Sequence, residues 1–195
     1  VGRGAYALAR VAVVVRAPAG WLWWPGVLAA GVGVLVPGLT GRRIGVLAGA
    51  ALFLIASAVA FLVRRGRYLE LARAASRAGK SVFLQDRAVT VRARRRALRW
   101  WLLLAFLAAV GSSFAVPAAA GMLLAGIGAG LWAKALWLGR WEQANDVLLW
   151  VRTEWVTRGK PAGKGVSAYQ TTGMVAGDAG PGGARRGRAT AGAAR

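Results

Sequence analysis

The chain has 195 residues, 57% of them hydrophobic, with 27 Lys+Arg against 6 Asp+Glu and a mean hydropathy of +0.48. Apolar and basic runs occupy separate stretches, unlike a soluble domain, whose charges are commoner and mixed in sign. With no Cys and no His, zinc fingers, imidazole metal sites, disulfides, thiol chemistry and His-based triads are excluded.

Residues 1–20 form a basic arm carrying Arg3, Arg10 and Arg16. Its apolar part is short and broken by Arg10, so it lies along the surface or extends the first span and does not read as a cleaved signal. Four apolar stretches follow. Residues 21–38 and 44–63 hold 18 and 20 residues without a charge, 100–116 holds 17, and 118–138 holds 21 with one charge, Lys134. Roughly 20 apolar residues rising about 1.5 Å each cross a hydrocarbon core of about 30 Å. Away from water each segment must satisfy its own backbone, which favours helices. The expected fold is all-α: a four-transmembrane-helix integral membrane protein of two helical hairpins, 21–63 and 100–138, with a basic loop and a disordered basic tail.

Charge asymmetry sets the expected orientation. The loop at 64–99 has twelve basic residues against two acids, and residues 139–195 have nine against four. The link between spans one and two has only Arg42 and Arg43, and that between spans three and four has none. The positive-inside rule then places both termini and the long loop in the cytoplasm, with the spans in a bacterial cell (inner) membrane. Trp21, Trp23, Trp24, Trp100, Trp101, Trp132, Trp137 and Trp141 fall toward that side, as an interfacial aromatic belt requires. Stacking on nucleic-acid bases is the alternative for clustered Trp, but the belt explains their positions without a ligand. Lys134 lies one turn from the same end and is expected to snorkel to the interface.

Beyond the fourth span, Trp141, Ala144, Leu148, Val151 and Trp155 recur at helical spacing, which predicts an interfacial amphipathic helix over 139–158. Residues 159–195 contain ten Gly and lose apolar periodicity, which predicts a disordered tail bearing Arg185, Arg186 and Arg188.

Residues 74–81, AASRAGKS, fit a relaxed phosphate-binding loop. Such a loop needs a strand before it and a helix after it. Here a basic helical extension precedes it, no apolar strand ending in Asp follows, and the inter-span segment is too short for a nucleotide domain. Gly79 therefore reads as a turn between two cytoplasmic helices. Glu142 and Asp146, spaced i, i+4, share a helix face. Without His or further acids they read as a solvated face and not as a metal or acid–base site. No catalytic residue, metal or cofactor is nominated, and the expectation is a protein that is not an enzyme. Gly45-x-x-x-Gly49 and Gly126-x-x-x-Gly130 permit close helix approach, within one bundle or between copies of a homo-oligomer.

The densest basic patch is Arg92, Arg94, Arg95, Arg96 and Arg99. With Arg185, Arg186 and Arg188 it suits either of two polyanions. Anionic lipid gives about 1 kcal/mol per basic residue near the surface. DNA gives sequence-independent affinity through counterion release. Arg outnumbers Lys 23 to 4, which is the mark of GC-rich coding. The layout of residues 1–160 resembles the spread and transfer membrane proteins of actinomycete conjugative plasmids, and the membrane-anchoring N-terminal parts of FtsK/SpoIIIE-type DNA translocases. That resemblance implies an accessory or anchor beside a DNA-pumping motor protein, touching nonspecific DNA through the two Arg clusters. The alternatives are a membrane scaffold or partner-binding subunit whose basic loop serves topology and anionic lipid only, and a small oligomeric channel or transporter.

Overall fold

A computed structural model describes residues 7–36, 38–79, 82–158, 161–163 and 165–174. Strand β1 (Ala7–Arg10) leads into a short helix α1 (Val11–Arg16), and helix α2 (Ala19–Leu35) follows. Then come α3 (Arg42–Leu62), α4 (Arg65–Arg73), and two short strands, β2 (Ser76–Arg77) and β3 (Phe83–Leu84). Helix α5 (Arg87–Gly111) ends in a 3-10 turn at Ser112–Phe114. Helix α6 (Ala119–Ala144), strand β4 (Val147–Arg152), helix α7 (Thr153–Arg158) and strand β5 (Gln170–Gly173) complete the order. Four helices are long and apolar enough to cross a membrane: Val11–Leu35, Arg42–Arg73, Arg87–Phe114 and Ala119–Ala144. Leu28, Leu47, Leu54 and Leu104 stand exposed on their outer faces, the reverse of what water would select.

Helix α6 is the centre of the bundle. Along one of its sides α2 runs antiparallel, with Gly26 against Gly121 and Ala125, Gly33 against Ala118, and Gly128 against Ala19 and Trp23. Along another side α3 runs parallel, with Gly45 against Pro117, Gly49 against Met122, Gly126 against Phe53 and Gly130 against Ser57. Helix α5 packs on α2 and α6. Of the two expected hairpins the second is in contact, α5 on α6, whereas α2 and α3 of the first both pack chiefly on α6, with Trp23 and Phe53 edge-to-face at 6.2 Å. Small residues on two sides of α6 let two backbones approach it closely, where larger side chains would hold them off.

A five-stranded mixed sheet, ordered β2-β5-β4-β1-β3, caps one end of the bundle. Central β4 is antiparallel to both neighbours, pairing Val151 with Ala9 of β1 and Leu149 with Thr171 of β5. Because side chains alternate across a strand, its two apolar sets bury in different places. Leu149 and Val151 join Ala9, Val11, Val14, Tyr68, Leu71 and Leu138 against the helices. Leu148 and Trp150 join Leu8, flanked by Ala78, Val82 and Leu84. The Trp150 Nε1–H donates to Thr172 Oγ1 at 2.7 Å.

The sheet revises three expectations. The helix expected over 139–158 stops at Ala144, turns through Asn145 and Asp146 (φ 50°), and continues as β4. The apolar residues of β4 are covered on both faces, which a surface-lying amphipathic helix could not achieve. The tail expected from 159 supplies β5 and Tyr169, which is fully buried and donates to the Pro161 carbonyl at 2.8 Å. Gly79 sits between strands β2 and β3 and not between helices. In the loop expected at 64–99, α4, β2 and β3 are followed by the start of α5. Asp86 caps that helix, accepting from the Ala88 N–H at 3.3 Å. Lys80 and Ser81 of the phosphate-loop-like run lie outside the described residues, and β3 follows it where a nucleotide site would need a helix.

Candidate functional site

The end of the bundle that carries the sheet also carries most of the charge. Helix α3 finishes there, leaving carbonyls that no further helical turn can satisfy. Lys134 of α6 supplies one donor: its Nζ donates to the Val63 carbonyl at 2.8 Å and lies 5.8 Å from the centre of the Tyr68 ring. A cation at a helix C-terminus also complements the helix dipole. Lys134 is only 4% exposed, so within the chain it turns inward to cap α3. The next residue, Arg64, adopts the left-handed conformation at φ 61°. That turn separates α3 from α4 and lets the Arg64 Nη1 donate to the Ala162 carbonyl at 3.2 Å.

Arg64, Tyr68, Arg94 and Lys134 line one end of a cavity of about 570 Å³. Its walls are otherwise apolar: Leu52, Ile55, Ala56, Val59, Ala60 and Val63 from α3, Leu123, Ile127 and Leu131 from α6, and Val14, Val15, Pro18 and Pro161. Arg94 donates from Nη1 to the Val156 carbonyl at 3.0 Å, while its buried Nε has no hydrogen-bond partner. Among the described residues no carboxylate lines the cavity, so the chemistry it offers is that of an anion receptor with an apolar body.

The arginine cluster predicted from sequence lies on the first turns of α5, where helical spacing divides it. Arg94 turns inward to the cavity. Arg95 stacks on Trp21 with its guanidinium carbon 4.0 Å from the ring centre, and Arg99 lies 5.3 Å from that of Trp100. Arg92 and Arg96 are exposed, one turn apart. The Arg–aromatic pattern continues around the same end: Arg65 lies 4.5 Å from Trp137 and Arg16 5.8 Å from Trp132. Arg185, Arg186 and Arg188 lie outside the described residues. The four motif glycines, Gly45, Gly49, Gly126 and Gly130, all sit on the α3–α6 contact.

Glu142 is the largest departure from a solvated face. It is fully buried, accepts from Arg10 at 2.6 Å and from the Leu149 N–H at 2.9 Å, and no longer shares a helix with Asp146. Nearby, burial and then the neighbouring Tyr68 hold the Tyr169 phenol above its ordinary value of 10.0, with Arg67 opposing. Sequence reasoning missed Tyr68 and Arg64 as lining groups. The one available signal was Lys134, a lone charge in an apolar span.

The arrangement is a bundle with four candidate spans, a mixed sheet at its basic end and an amphipathic cavity between α3 and α6. No family model, curated protein or solved structure matches this chain.

Proposed function

We propose that this chain is a non-catalytic integral membrane protein of a bacterial inner membrane that anchors or scaffolds a partner. The sheet and the basic end face the cytoplasm and rest on anionic lipid. The observation that carries this reading is the ring of Arg–aromatic contacts at one end of the bundle, Arg16, Arg65, Arg95 and Arg99 with Trp132, Trp137, Trp21 and Trp100. Indole rings favour the headgroup level, and arginines beside them can meet lipid phosphate while their stems stay in apolar surroundings. At the opposite end the charged side chains among the described residues are Arg42 and Arg43, both exposed. The sheet offers a folded platform for a motor or membrane partner on the charged side.

A second reading, DNA association beside a transfer or translocation motor, rests on Arg92 and Arg96, exposed on one face of α5. The test is binding of duplex DNA to the protein in phosphatidylcholine nanodiscs across a salt series. Affinity falling log-linearly with salt, and lost in an Arg92→Gln, Arg96→Gln variant, supports DNA association. Absence of binding at low salt, together with preferential insertion into vesicles containing phosphatidylglycerol, supports the lipid-anchored scaffold alone. A truncation testing the tail should begin after residue 174, because β5 belongs to the sheet.

A further inference from the structure

We infer that the cavity beside α3 and α6 holds one anionic glycerophospholipid, with its phosphate at Lys134, Arg64 and Arg94 and an acyl chain along the apolar walls. This rests on the membrane residence proposed above. Three observations converge on it.

The first is charge. Three cations line one end of the cavity with no carboxylate among the lining residues. The ion pairs Arg10 with Glu142 and Arg67 with Glu70 involve none of the three. A buried cation without a counter-ion is costly, and Lys134 is almost wholly enclosed. The buried Arg94 Nε keeps an unused donor, and a phosphate oxygen is the acceptor a guanidinium suits best.

The second is length. The α3 wall runs from Leu52 to Val63, about 16 Å at the helical rise. One leaflet is half of a hydrocarbon core of about 30 Å. The apolar wall therefore spans one leaflet, with the cations at its headgroup end. Free phosphate would satisfy the cations and leave that wall unfilled.

The third is access. Ile55 and Val59 line the cavity yet are 60% and 52% exposed on the outer side of α3. A chain can therefore enter sideways from the bilayer.

The test uses the full chain in phosphatidylcholine nanodiscs doped with phosphatidylglycerol carrying a diazirine at the acyl end, with labelled peptides mapped by mass spectrometry. The expected result is saturable labelling of residues 52–63 and 123–134, undiminished by inorganic phosphate. It should fall about tenfold in Arg94→Gln, the loss of one charged hydrogen bond. Val59→Trp, which keeps every charge and obstructs the groove, should reduce it similarly while still inserting normally. Equal labelling by a phosphatidylcholine probe, even labelling over the outer faces of α2 and α5, or no change in either variant would overturn the lipid site. Displacement by inorganic phosphate would overturn it in favour of a phosphate site. Failure of the chain to insert at all would overturn the membrane reading itself, and this inference with it.

Discussion

Arg10 and Glu142 stand 132 positions apart and meet at 2.6 Å, tying strand β1 to the last turn of α6. Glu142 holds two structures at once, because its other oxygen accepts the backbone N–H of Leu149 in β4. Glu142→Gln retains an acceptor for Leu149 and loses the ion pair. It should cost about 2 kcal/mol, below the range for a fully enclosed pair because Arg10 is partly open to solvent. Glu142→Ala loses both and should cost about 1 kcal/mol more. Thermal melting in detergent measures the series, and a Gln variant as stable as the parent would refute the role.

The glycines of α6 separate close approach from mere helix composition. A Cβ at Gly126 would stand 2.5 Å from the Phe53 carbonyl oxygen, and one at Gly130 would meet Ser57. Gly126→Val and Gly130→Val should each destabilise by about 3 kcal/mol or more, since backbone must move. Gly31 and Gly139 have nothing within 4 Å of an added Cβ. Alanine there should leave stability within about 1 kcal/mol of the parent, or raise it. The same melting assay separates the two groups.

Orientation can be read with no thiol background, because the chain has no cysteine. Leu39, 92% exposed at the end away from the sheet, should take a membrane-impermeant maleimide in intact spheroplasts as Leu39→Cys. Gln143→Cys, exposed at the sheet end, should react only after permeabilisation. The opposite pattern would invert the protein.

The sheet should loosen in alkali. Burial raises the Tyr169 phenol above 10.0, so the fold favours its neutral form. That contribution is complete below the ordinary value and is lost as pH rises beyond it. Protease protection of the residues around Tyr169 should therefore hold up to about pH 10 and decline progressively above it. Tyr169→Phe should blunt this decline, at a cost of about 1 kcal/mol near neutrality for the lost bond to Pro161. An unchanged alkaline profile in that variant would assign the effect elsewhere.

The four apolar helices were legible because length and hydropathy are local properties. Residues 44–63 and 118–138 fall within a few positions of α3 and α6. Helix α5 begins at Arg87, well before the expected 100, because a basic stretch continues a helix as readily as an apolar one. The sheet was hidden for a different reason. Its strands come from four regions of the chain, β2 and β3 have two residues each, and neither carries a periodicity. Leu148 and Val151 of β4, with Trp155 of α7, imitate helical spacing. The better signals were the unbroken apolar run at 147–151 and the Asn145–Asp146 turn before it. The burial of Glu142 could not be read locally, because its partner arrives from the other end of the chain.

The strand order has a consequence for biosynthesis. Strand β5 lies between β2 and β4, so β2 has no place in the sheet until β5 exists. A ribosome makes β5 only after every apolar helix has been synthesised. Every long helix is therefore complete in the chain while β2 still lacks its partner, and the edge of the sheet formed by β2 can close only once nearly all of the described residues have been made.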